Sequence, residues 1–187
     1  MAELLGGFAG MVRGRAMRKI EPQTALLALC VFVIICVTWI DAWNVLRDVT
    51  VDFAGLWRPI LVGTFYYLAA AVVFPSDPAD FDRLGAYFDS RKRFVIAMIL
   101  AAEILVTSFF WADFANLYRT GAPEFWLWIV PYNIAIKGCM IALLFVRSRR
   151  ANIVVLAAVT ILFLVPYWEH YVVRDAIVRA WGLSPAL

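Results

Sequence analysis

The chain has 187 residues, of which 64% are hydrophobic and 17% charged, and its formal net charge is +3. A mean hydropathy of +0.81 excludes an ordinary soluble domain and leaves no length for one beside the apolar runs. The basic residues cluster at the ends of those runs, which removes the case for nucleic acid as a partner.

In chain order, residues 3–19 place Leu4, Leu5, Phe8, Met11 and Val12 on one helical face, with arginines following. This is the pattern of an amphipathic helix lying on the inner leaflet. An apolar run over 24–43 follows, too long for a signal-peptide core and without a cleavage site, and reads as a retained anchor helix. Since a hydrocarbon layer of about 30 Å needs roughly 20 helical residues, further spans are expected over 59–74, 94–112, 125–146 and 152–168. Between the second and third, Pro75 ends a helix. Asp77, Pro78 and Asp80 can then start another, with Phe81, Leu84 and Phe88 on one stripe. That predicts an interfacial elbow helix over 78–90, with Arg91, Lys92 and Arg93 set against the anionic inner leaflet. The competing reading of this stretch is a binding motif for a soluble partner.

Lysine and arginine alternate in abundance from segment to segment. The N-terminal segment and the second and fourth loops carry eleven, the first and third loops and the tail carry five, and Lys137 lies inside a span. The positive-inside rule then places the N-terminus in the cytoplasm and the C-terminus outside. The fold class expected is an all-α integral membrane protein. It is a single polytopic domain over 1–187, a five-helix bundle with an elbow, in the inner membrane of a bacterium. Gly63, Ala69, Ala70, Ala71, Ala101 and Ala102 are the small residues at which helices should approach closely in lipid.

Glu103 and Lys137 lie inside the third and fourth spans, each nine residues from the cytoplasmic end and so about 13 Å deep. One turn further out come Thr107 and Asn133, and Thr64 and Thr160 reach the same level. Because an unpaired charge at mid-helix costs about 2.5–3.5 kcal/mol, a Glu103–Lys137 pair is expected at the centre of a polar layer. It serves as a static brace, as a working site for an ion or ligand, or as a contact with another subunit. Pro131 can kink the fourth span beside it.

All eight tryptophans fall on the outer side of this topology, among them Trp111, Trp126 and Trp128. Asp41, Asp113, Glu169 and His170 lie near the same face. A single histidine without HExxH spacing gives no metal set, and Ser108 with His170 and Asp113 is a weak triad. Cys30, Cys36 and Cys139 form no CxxC pair, and no phosphate loop, dinucleotide turn or haem ligand pair is present, so no cofactor is expected. Three functions remain. The first is a non-enzymatic protein that binds or moves a small ion or apolar ligand through the polar layer. The second is an accessory or assembly subunit of a larger membrane complex or a homo-oligomer. The third is an outer-interface enzyme acting on lipid or isoprenoid.

Overall fold

The computed structural model describes residues 6, 21–46, 53–75, 83–123 and 125–169. Every element among them is helical: α1 (Pro22–Leu46), α2 (Phe53–Ala71), α3 (Leu84–Phe109), α4 (Trp111–Thr120), a π-helical turn (Phe125–Ile129) leading into α5 (Val130–Phe145), and α6 (Arg149–Glu169). The expected inner-leaflet helix over 3–19 and the elbow's start at Asp77–Phe81 lie outside the described residues, Gly6 excepted.

Three stretches are long and apolar enough to cross a membrane: Pro22–Trp43, Phe125–Phe145 and Arg149–Pro166. A fourth arises if α3 and α4, bent by 59° at Phe110, count as one broken span. The bend has a local cause. Phe110 sits at φ −92° and ψ 9°, its N–H bonds back to the carbonyl of Thr107, and the helical ladder restarts at Trp111. α4 then stops at Gly121, which takes a left-handed φ of 67°. Its N–H bonds to the Tyr118 carbonyl and that of Ala122 to Leu117, the paired closure that favours glycine there.

One expectation is corrected here. Residues 84–90 are the first turns of α3 and run on without a break into the span, so no separate helix ends before Phe94. The segment between the spans expected over 94–112 and 125–146 holds most of α4.

The helices alternate in direction. Tyr66 of α2 meets Glu103 of α3, while Tyr87 near the start of α3 bonds to the Val72 and Phe74 carbonyls just past the end of α2. Gln23 at the start of α1 donates to the Arg149 carbonyl at the start of α6, so these two run parallel. One end of the bundle is therefore basic and carries Lys92, Arg93 and Arg149. The other carries Trp39, Trp43, Trp57, Trp111, Trp126 and Trp128, all exposed.

The basic end is closed by side chains. Lys92 is buried, although the RKR run suggested a leaflet contact. Its Nζ donates to the Val146 carbonyl at the end of α5 and, at 3.0 Å, to Asn152 Oδ1 on α6. A cation is favoured where a helix leaves its last carbonyls unmatched. Arg93 adds a bond to the Leu144 carbonyl, and Arg149 pairs with Glu21.

Above this end the core is apolar, with Val95, Ile96 and Ile99 of α3, Met140 and Leu143 of α5, and Leu156 of α6 at 0–1% exposure. Ala69, Ala70 and Ala102 are buried as close-approach residues should be. Gly63 is not one of them, because a Cβ there would meet nothing within 4 Å.

Candidate functional site

The inward stripe of each helix changes character toward the tryptophan end. On α3 it runs Lys92, Val95, Ile96, Ile99 and Ala102. At the same three-to-four-residue spacing it reaches Glu103, Val106, Thr107 and Phe110. The stripe of α1 ends on Asp41, and that of α5 carries Asn133 and Lys137. These polar residues converge on one cavity of about 600 Å³, walled by Phe110, Phe114, Tyr132 and Phe163.

Glu103, 9% exposed, accepts a 2.6 Å hydrogen bond from the Tyr66 hydroxyl at Oε1. The Tyr66 oxygen lies 2.9 Å from Thr38 Oγ1. Tyr66 has one hydroxyl proton and gives it to the carboxylate, so Thr38 donates to Tyr66. Lys137 Nζ donates to Asn133 Oδ1 at 2.6 Å, one turn back along α5. Asn133 in turn gives Nδ2 to the Ile129 carbonyl at 2.9 Å, the last residue of the π-helical turn. The turn thus helps to fix the amide that holds the lysine. Thr107 spends its proton on the Glu103 carbonyl at 2.7 Å and stiffens α3 beside the carboxylate.

The expected Glu103–Lys137 pair does not form. The carboxylate is bound by Tyr66 and the ammonium by Asn133, although both line the cavity and their fields reach each other, with Asp41 the further charge acting on Glu103. Helix rotation explains the difference. Lys137 is drawn along its own helix by an acceptor at i−4, and Glu103 finds a donor on α2.

Of the six residues expected in the polar layer, Glu103, Lys137, Thr107 and Asn133 come together. Thr64 and Thr160 do not. Thr64 faces outward and bonds to its own Ile60 carbonyl at 2.8 Å, while Thr160 is buried on α6 and bonds to the Leu156 carbonyl at 2.8 Å. The residue of α2 that does reach the layer is Tyr66, two positions from Thr64 and so about 200° around the helix. A stripe drawn through Val62, Tyr66 and Ala69 identifies it.

Asp41, an outer-face candidate near the tryptophan end of α1, lines the cavity and also a second, mainly apolar pocket of about 340 Å³ against α2. Asp113 is exposed in the first turn of α4, where a carboxylate suits the helix dipole. His170 lies outside the described residues. Among the described residues no group of three His, Cys, Asp or Glu side chains is placed to hold a metal.

The outer aromatic residues pack on one another. Trp126 meets Phe125 at 5.2 Å and Tyr118 at 5.8 Å between ring centroids, and Trp128 stacks on Tyr132 at 6.2 Å. Trp111, 71% exposed, edges an almost wholly apolar groove of about 710 Å³ between α4 and α5.

Fold and site together define a helical membrane protein with a polar cavity toward one end of its bundle. Neither a protein-family model, nor a curated protein, nor a solved structure matches this chain.

Proposed function

We propose that this is a five-span protein of a bacterial inner membrane, N-terminus in the cytoplasm, that binds a small polar or charged ligand in the cavity around Glu103, Lys137 and Asp41. The observation that carries the reading is that carboxylate and ammonium groups share one cavity of about 600 Å³ without the two central charges joining directly. Unlike charges left apart inside a low-dielectric bundle attract a ligand that can complete them. The volume falls within the range of about 300–1,000 Å³ usual for small-molecule sites.

Binding is favoured over conduction. From Glu103 to Lys92 is eleven residues along α3, about 16 Å, and the side chains of that interval facing the core are apolar and fully buried. On this reading the cavity is closed toward the basic end.

A test is mass spectrometry of the intact protein released from detergent. The wild type should carry a non-protein molecule that Glu103→Gln and Lys137→Met lose while keeping their helical content. Variants that retain the same molecule as fully as the wild type sink the reading. A second reading, an accessory subunit docked by its tryptophan end, rests on the exposure of Trp39, Trp43 and Trp111 at 73%, 70% and 71%. Copurification of a defined complex through that face supports it.

A further inference from the structure

We propose that the occupant is a lipid with a zwitterionic head and a primary ammonium, such as a phosphoethanolamine lipid. Its phosphate sits at Lys137, its ammonium lies toward Glu103 and Asp41, and an acyl chain lies in the groove between α4 and α5. This rests on the reading that the cavity binds a ligand, and adds what the ligand is.

The argument begins with connectivity. Lys137, Asn133, Thr107 and Phe114 line both the polar cavity and the apolar groove of about 710 Å³, so the lysine stands where the two meet. A molecule that fills both must be polar at one end and apolar at the other, with the change of character at Lys137.

Charge decides the head. A purely anionic head at Lys137 faces the carboxylates of Glu103 and Asp41 across the same cavity. A purely cationic head faces the ammonium. A zwitterion meets each with the opposite sign, and the Lys137 ammonium has donors beyond the one given to Asn133. A primary ammonium suits this site better than a quaternary one, because it can donate hydrogen bonds to carboxylates.

The groove supplies the route. Ile134 and Ile141 along it are 66% and 46% exposed, and on a helix that crosses a bilayer this exposure faces acyl chains. The 59° bend at Phe110 sets α4 at an angle to α3 and forms the far wall. At Gly138 a Cβ would meet nothing within 4 Å. The groove is therefore open at this point, and a larger residue there takes up part of its space.

The experiment titrates the full chain, delipidated in maltoside micelles, with lysophosphatidylethanolamine, lysophosphatidylglycerol and glycerophosphoethanolamine, and follows tryptophan fluorescence. The ethanolamine lyso-lipid should bind at least tenfold more tightly than the glycerol one and a hundredfold more tightly than the head alone. Gly138→Leu should weaken it tenfold or more with an unchanged melting temperature. Glu103→Gln should remove the preference for ethanolamine over glycerol, and Lys137→Met should weaken both lyso-lipids. Equal binding of the two lyso-lipids overturns the zwitterionic assignment. Equal binding of the head alone, or indifference to Gly138→Leu, overturns the groove. In either case, sensitivity to Glu103→Gln and Lys137→Met leaves the cavity reading standing, whereas insensitivity to both brings down the two together.

Discussion

At the scale of single residues, Tyr66 decides how Glu103 is held. Its hydroxyl is the neutral donor that a carboxylate in a membrane bundle needs, and Thr38 completes the chain behind it. Tyr66→Phe should destabilise the protein by about 1–2 kcal/mol in detergent unfolding. Most of that loss should disappear in a Glu103→Gln background, where no charged acceptor is left. The corresponding cycle between Glu103→Gln and Lys137→Met should show a smaller coupling than Tyr66 with Glu103, because the two charges meet only through the field across the cavity. A large coupling there would mean that the two charges brace each other after all. How the site was legible follows from the same residues. Depth along a helix is countable, because each residue rises by a fixed 1.5 Å, and so Glu103, Lys137, Thr107 and Asn133 could be set at one level from their numbers. Rotation is not countable from depth. Thr64 shares the level but points away, whereas Tyr66, two residues on, points in. Asp41 was placed at a helix end, and nothing in its local sequence says that the end turns inward.

Elements were legible wherever one physical rule governed them. The apolar runs over 24–43 and 125–146 match Pro22–Trp43 and Phe125–Phe145 closely, since only a helix satisfies its backbone in lipid. The elbow is not legible as the start of α3, because Arg91, Lys92 and Arg93 read in sequence as one basic run at the leaflet. In α3 the stripe through Phe88, Lys92, Val95 and Ile96 turns the lysine inward, and there it caps α5. Lys92→Met should therefore cost about 2–3 kcal/mol, because it leaves the Val146 carbonyl and Asn152 without their donor. Arg91→Met, whose guanidinium only overlies the Tyr87 ring at 5.9 Å, should cost less than about 0.5 kcal/mol by the usual range for surface sites. Chemical unfolding of the two variants side by side distinguishes a cap from a leaflet contact. Nothing in the sequence marks α4, because ten residues with a charge in the first turn and another in the last resemble a loop between spans. Its end was legible all the same. Gly121→Ala should cost about 1 kcal/mol, since the left-handed φ of 67° strains any side chain even though the space around it is open.

For the whole molecule, the contrast between its two halves is what supports the proposed binding role. At the basic end, side chains of α3, α5 and α6 are locked by Lys92, Asn152 and Arg93, and the next turns of core are fully buried hydrocarbon. At the tryptophan end, the same helices separate around a polar cavity and an apolar groove. Water should therefore reach Thr107 but not Ile99, which lies two turns deeper on the same face of α3. In a chain with Cys30, Cys36 and Cys139 replaced by alanine, a membrane-impermeant maleimide should label Arg91→Cys from the cytoplasmic side only and Trp111→Cys from the opposite side only. That pair of results fixes the orientation that the positive-inside rule predicts. Thr107→Cys should then react from the Trp111 side, more slowly than Trp111→Cys, and Ile99→Cys from neither. If Ile99→Cys reacts from the cytoplasmic side, the apolar floor opens, and the protein alternates between two faces as a carrier does. If it reacts from neither side while Thr107→Cys is protected by the ethanolamine lyso-lipid, the cavity is a one-sided receptor, which is the function that the closed basic end favours.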